Sequence, residues 1–179
     1  MILKTDEMGL TLLDFVDGCG QQERLRQEGL PDAHEGEEAV VRRAAAWLDA
    51  YFAGKRPEEE VPGEAIPLHL VGSEFQKQVW EVLLTIPYGC TMSYGQVAAS
   101  VAAKRGLLRM SARAVGGAVG SNPISLMVPC HRVLGADGNI TGYGGGLDRK
   151  RALLALENIS YKDTHGPEAA RYRKSCLDK

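Results

Sequence analysis

The sequence predicts an α+β fold in two parts, a small N-terminal α/β lobe and a mainly helical C-terminal domain built around a presented cysteine. Three observations carry this expectation. Apolar residues flank a glycine-containing turn within residues 2–16, the pattern of a β-hairpin. Ser73, Ser93 and Ser111 each head a run with helical character, and the first two have a glutamine three positions later, as in a capping box. An apolar run over residues 124–128 leads into Pro129, Cys130, His131 and Arg132. Proline cannot donate to a sheet ladder, so the chain is expected to leave a buried strand and turn where the thiol appears.

In order along the chain, residues 2–5 and 10–16 form the hairpin about a turn at 6–9. After a polar stretch to residue 38, Val40, Ala44, Trp47, Leu48 and Tyr51 recur at three-to-four spacing and predict a helix over 39–52. Residues 54–67 hold three prolines and three consecutive glutamates, the composition of a linker. The boundary falls near residue 68, giving an N-terminal lobe over 1–68, a C-terminal domain over 69–158 and a polar, basic tail over 159–179. The helix opened by Ser73 places Phe75, Val79, Val82, Leu83 and Ile86 on one side. Ser93 starts a short helix through Val101, and Ser111 starts another over 112–120. Two short helices joined by a turn form a helix-turn-helix. Gly116 and Gly117 each cost that second helix about 1 kcal/mol relative to alanine. Something must therefore approach its bare face closely, either a neighbouring helix or a DNA groove, with Arg113 the long side chain projecting beside it. Asp148 is the expected cap of a last helix over 149–158, with Leu153, Leu154 and Leu156 inside.

Composition narrows the functional classes. The chain has 179 residues, 44% hydrophobic and 25% charged, ordinary for a globular protein with its own core. Its four cysteines, Cys19, Cys90, Cys130 and Cys176, are scattered without a CxxC pair, which argues against a disulfide framework and for a reducing compartment. No apolar stretch is long enough to span a membrane, and the N-terminus lacks signal-peptide character. The expected location is cytoplasmic and nucleoid-associated, or nuclear in a eukaryote. The net charge of −2 hides a division: residues 1–70 carry seven basic and fifteen acidic residues, residues 71–179 fourteen and eight. The second part suits a polyanion. Cys19, His34 and His69 match no usual zinc spacing, so no metal is expected. The glycine run at 142–146 lacks the lysine and hydroxyl residue of a phosphate loop. It can still bring bare backbone against a planar ligand, with Tyr143 free to stack.

The residues just described resemble those of the O6-alkylguanine-DNA alkyltransferases. The likeness runs through Tyr88–Gly89, Ser93–Gln96, residues 112–118, Asn122–Pro123, residues 128–133, the glycine run and Leu153, Leu154 and Glu157. It implies a ribonuclease H-like N-terminal lobe, with a shortened version as the alternative. It also implies direct, single-turnover repair of O6-alkylguanine, and of O4-alkylthymine, after the base is flipped from the duplex. On this likeness Cys130 is the acceptor thiolate. His131 acts on it through a water, Glu157 orients His131, and Asn122 holds the cysteine turn in register with the recognition helix. Tyr94 turns the nucleotide out and protonates the departing guanine, while Arg113 fills the vacated stack. Ala112, Gly116, Gly117 and Ser121 face DNA in the minor groove. Tyr143, Gly144, Val133 and Pro129 wall the base pocket. No cofactor is implied. The partner is double-stranded DNA, with single-stranded DNA as a further ligand, bound by a monomer with or without cooperativity.

The connection between Tyr94 and Arg113 is longer than in many members, and it adds Lys104, Arg105 and Arg109 as expected DNA contacts. Two other classes compete with repair, a non-catalytic reader of alkylated bases and a transcriptional regulator. A reader of this family replaces the cysteine, and a regulator needs a sensor or dimer module for which residues 1–68 are small.

Overall fold

The computed structural model describes residues 1–15, 35–61, 63 and 65–164. Cys19, His34, Cys176 and the tail beyond residue 164 lie outside them. The chain divides into two compact units, Met1–Val71 with Pro123–Ser125, and Gly72–Asn122 with Leu126–Lys179.

In the first unit β1 (Ile2–Asp6) pairs antiparallel with β2 (Gly9–Asp14). Asp6 closes the turn, its Oδ1 accepting from Met8 N at 2.9 Å and Gly9 N at 3.1 Å. Gly9 has φ of +141°, and a Cβ there would come within 2.3 Å of Pro67 O, so only glycine allows residues 67–69 to run beside β2. That segment pairs through Leu10 N to Pro67 O (2.8 Å) and His69 N to Leu10 O (2.9 Å), and His69 Nδ1 meets Asp6 Oδ2 at 2.5 Å. Leu13 is similarly bracketed by Pro123 O and Ser125 N. Helix α1 (Glu35–Phe52) packs on both strands, with Ala44 and Tyr51 fully buried and Trp47 stacked on Tyr51. It begins a turn before the expected residue 39, because its polar first turn carries no apolar periodicity. Within the expected linker, Pro57–Glu60 forms one short helix, α2, with proline in the first turn, where no N–H is needed.

The second unit is built on α3 (Glu74–Leu83), α4 (Tyr94–Lys104) and α5 (Ala112–Gly120), each touching the other two. Ser73 and Ser93 make the expected capping boxes, and Ser111 Oγ accepts from Ala114 N. Val79, Val82 and Leu83 of α3 are buried, each contributing about 1.5–3 kcal/mol. Trp80 Nε1 donates to Ala118 O at 2.8 Å, tying α3 to α5. Helix α4 runs past the expected Val101 because Ala102 is also buried, and it is closed just beyond its end by Gly106, whose φ of +65° lets Leu107 N return to Ala102 O.

The expected strand before the cysteine is absent. Leu126 has φ of +72°, and prolines at 123 and 129 remove two donors, so the run forms isolated bridges and a turn. Pairing resumes after the cysteine, where β4 (Val133–Leu134) lies parallel to β3 (Met92–Ser93). Leu134, Ile140, Leu154 and Ile159 form a core cluster, and Lys162 pairs with Asn139. Helix α6 (Leu147–Leu156) starts at Gly146, not at the expected cap Asp148, because the glycine turn with φ of +88° already sets the entry. Cys90, which the scattered spacing set outside any disulfide framework, is disulfide-bonded. Scattered sequence spacing does not govern which thiols meet in space. No helix among the described residues is long and apolar enough to cross a membrane.

Candidate active site

Pro129, with φ −82° and ψ 62°, opens a single 3-10 turn, Cys130–Arg132. At three residues per turn its side chains diverge by roughly 120°, so three neighbours in sequence face three environments. All are buried, with 6% of Cys130, 0% of His131 and 4% of Arg132 exposed.

Asn122 supplies the environment of the sulfur. Its backbone N follows the end of α5, and its Nδ2 donates to Val128 O at 2.8 Å and to Cys130 Sγ at 3.1 Å. One carboxamide thus links the helix end to the thiol, and a donor aimed at sulfur favours the thiolate over the thiol.

His131 turns the other way, its Nε2–H donating to Glu157 Oε1 at 2.7 Å. Burial pushes the imidazole pKa below its usual value, outweighing the pull of Glu157. The ring is therefore neutral near pH 7, with Nδ1 as its proton-accepting nitrogen. Arg132 supplies the counter-charge: Nε reaches Glu157 Oε2 at 2.8 Å, Nη2 reaches Oε1 at 3.0 Å, and Nη1 donates to Ile86 O at 2.7 Å. Gly89 N adds a further hydrogen bond to Glu157. Burial pushes the Glu157 carboxyl up, but His131 and then Arg132 override this and hold it at about 2.

Tyr94 opens α4 with its hydroxyl near Thr141 and Cys130. Burial raises its pKa, the neighbouring Thr141 side chain opposes this, and the charge of Cys130 raises it further. The hydroxyl stays protonated at neutral pH. A Cβ on Gly116 would lie 3.8 Å from the Tyr94 ring, whereas one on Gly117 would meet nothing within 4 Å. Gly116 therefore faces the protein and Gly117 faces outward.

On α5, Ala112, Arg113, Ala114 and Gly117 are exposed. Between Glu81 and Asp137 the sequence has no acidic residue but carries Lys104, Arg105, Arg109, Arg113 and Arg132. Lys104 pairs with Glu81 and Arg105 lies over the Phe75 ring, and both are exposed, as is Arg109. Ser121 is committed to the fold, capping α5 and accepting from Gln76 Nε2 at 2.8 Å. In the glycine loop, Gly146 N closes on Tyr143 O at 3.0 Å, Tyr143 is half-buried and Gly144 is exposed. Pro129 and Val133 bracket the cysteine turn.

The sequence reading missed Thr141 and Lys150. Lys150 sits between Leu147 and Leu154 on the inner stripe of α6 and is completely buried. Its only sequence signal was a cation at an apolar position of a helix. Among the described residues no cluster could hold a metal ion.

The unit thus presents a buried cysteine with an amide on its sulfur, a histidine in its turn paired with a glutamate at the end of α6, and a basic helix surface nearby. These features are the ones a cysteine nucleophile serving a polyanionic substrate requires. Residues 74–159 match the family model of the 6-O-methylguanine DNA methyltransferase DNA-binding domain. The chain is 56% identical over 148 residues to the methylated-DNA–protein-cysteine methyltransferase of Mycobacterium bovis, covering 83% of this chain and 79% of the relative. It is 41% identical over 157 residues to that of Methanosarcina acetivorans, covering 88% and 90%. The Mycobacterium tuberculosis OGT structure in complex with DNA superposes with a TM-score of 0.67 at 44% identity, covering 87% and 84% of the two chains. The chain belongs to the methylated-DNA–protein-cysteine methyltransferase family.

Proposed function

We propose that the chain repairs DNA by moving the alkyl group of O6-alkylguanine, and of O4-alkylthymine, onto Cys130. The observation that carries this is the Asn122 donor on Sγ within a turn whose next residue is the neutral, Glu157-bound His131. His131 takes the thiol proton through a water, and the thiolate attacks the alkyl carbon. The S–C bond forms as the C–O6 bond breaks, its electron pair passing to guanine, which takes a proton from Tyr94. The thioether has no carbonyl for water to attack, so each molecule reacts once and needs no cofactor. Because Cys130 is only 6% exposed, the base must be brought to the sulfur, which requires flipping it from the stack.

We read α4 and α5 as a helix-turn-helix whose α5 enters the minor groove. Arg113 fills the gap left by the base, Ala112, Gly116, Gly117 and Ser121 form or support the DNA face, and Tyr143, Gly144, Val133 and Pro129 wall the pocket. Residues 69–158 are the catalytic domain, and residues 1–68 a ribonuclease H-like lobe, of which the described part supplies a hairpin and the helices α1 and α2. The protein acts as a monomer on double-stranded DNA, accepts single strands, and is cytoplasmic with the nucleoid. The direct test is intact-protein mass after incubation with duplex DNA carrying O6-methylguanine. A gain of one methyl group is expected, and tight binding without a gain would replace repair by lesion reading.

Arg113→Ala should slow repair in duplex DNA far more than reaction with free O6-benzylguanine, which needs no extrusion. Equal losses in single-turnover assays would remove Arg113 from the flipping step. Gly117→Ala should raise the stability of free protein by up to about 1 kcal/mol, because the methyl group meets only solvent. The same substitution should weaken duplex binding, since the bare face is what approaches the groove. Titration with unmodified duplex reads this, and unchanged affinity would take Gly117 off the interface.

A further inference from the structure

Leu107 and Leu108 lie in the connection between α4 and α5 and take no part in the chemistry above. Leu108 is fully exposed and Leu107 is 48% exposed, and among the described residues they are the only adjacent pair of large apolar side chains left in solvent. Scattered exposed leucines need no explanation, so the pair carries weight through its surroundings.

The turn that presents the leucines is fixed at both ends. Gly106, with φ of +65°, lets Leu107 N bond to Ala102 O at 2.9 Å, the closure by which a helix ends on glycine. The residue in the place of Leu107 usually packs back on the helix, but here the position it would meet is Ala102, a single methyl group that is already buried. Beyond the tip, Met110 is half-buried and Ser111 Oγ caps α5 through Ala114 N. Leu108 is therefore held out at the tip of a short, closed turn.

The flanks of the turn are cationic. Lys104, Arg105, Arg109 and Arg113 are exposed, and no acidic residue falls between Glu81 and Asp137. Residues 103–109 and 111–114 are all exposed, so the leucines are continuous along the chain with the first turn of α5. A purely apolar partner would have to strip water from these cations. A nucleic-acid duplex offers phosphates to the cations and, between its two phosphate rows, sugar faces and base edges to apolar side chains.

We propose that Leu107 and Leu108 are a DNA contact, seated in the groove that α5 enters while Arg105 and Arg109 hold phosphates on either side. This rests on the reading of α4 and α5 as a DNA-binding helix-turn-helix. The leucines supply affinity that salt does not screen, whereas the cations supply affinity that it does.

The test replaces both residues in the full chain, Leu107→Ala with Leu108→Ala, and titrates unmodified duplex over a range of salt concentrations, with a single strand of the same sequence alongside. Duplex affinity should fall roughly tenfold at every salt concentration, the scale of covering one leucine side chain. The slope of log affinity against log salt should stay that of wild type, because no charge is removed, whereas Arg109→Ala should flatten it by about one. Affinity for the single strand, which has no groove, should fall less. The thermal midpoint should not move, which shows that the dialanine variant is folded. Unchanged duplex affinity would overturn the proposal, as would an equal loss on the single strand or a loss accompanied by a flattened salt slope. Sedimentation of the protein without DNA tests the other occupant: association of wild type that the dialanine variant abolishes would make the pair a contact between copies of the chain and overturn the DNA assignment. Wild-type protein that binds no duplex would overturn the helix-turn-helix reading itself, a separate failure in which no variant takes part.

Discussion

Cys130→Ala should take up no methyl group from DNA carrying O6-methylguanine, while remaining folded and still binding the lesion. The substitution removes one sulfur atom from a buried turn, a small cavity costing on the order of 1 kcal/mol. Asn122 loses the acceptor at 3.1 Å but keeps Val128 O at 2.8 Å, so the link from α5 to the turn survives. The 3-10 turn is closed by backbone bonds, Arg132 N to Pro129 O and Val133 N to Cys130 O, that do not involve the side chain. The Glu157 hydrogen bonds to His131 and Arg132 are likewise untouched. The variant becomes in effect a reader of damage. Intact mass and lesion binding measured together check both halves: methyl uptake by Cys130→Ala would place the acceptor elsewhere, and loss of lesion binding would show that sulfur contributes to recognition as well as reaction.

What made the site legible in the sequence was local chemistry. Ser73 and Ser93 announced their helices because a capping box needs only residues three apart, and Asn122, Cys130 and His131 fall within ten residues of one another. Glu157 was placed through the family resemblance, since nothing in its own helix distinguishes it from a surface carboxylate. The strand expected before Cys130 failed because apolar content says that a run is buried, not how its backbone runs. The positive φ of Leu126 has no signature in a leucine. Lys150 stayed hidden because a lone lysine is ordinarily solvated, and its three partners are backbone carbonyls, which every residue has. The start of α1 lay in polar sequence, where periodicity is silent. The ring contact of Arg105 and the ion pair of Lys104 are tertiary facts, and all three cations of the extended connection, Arg109 with them, are exposed.

Removing the negative charge of Glu157 should cost both stability and activity, and the two losses should separate. Glu157→Gln leaves the Arg132 guanidinium, 4% exposed, without its counter-ion, and breaking a buried pair in this way costs about 3–5 kcal/mol. Against a typical total of about 5–15 kcal/mol, that places the variant near the edge of folding. Replacing both partners, as in Glu157→Leu with Arg132→Met, removes the orphaned charge and should recover much of the stability. It should not recover alkyl transfer, because His131 Nε2–H then has no carboxylate to fix the tautomer that accepts the thiol proton. Denaturant unfolding beside single-turnover repair reads this; a double variant that regains both would reduce Glu157 to a charge-balancing residue. The same pair sets the acid limit of the wild type. Glu157 is held at about 2 in the fold against a usual 4.5, so its contribution is full above 4.5 and is lost as pH falls towards 2. His131 is also depressed from its usual 6.5, so its contribution starts to fall below that value. Stability should therefore decline in two stages, the first below pH 6.5 and the second below 4.5. The double variant should lack the second stage, and its persistence would assign the acid sensitivity to other carboxylates.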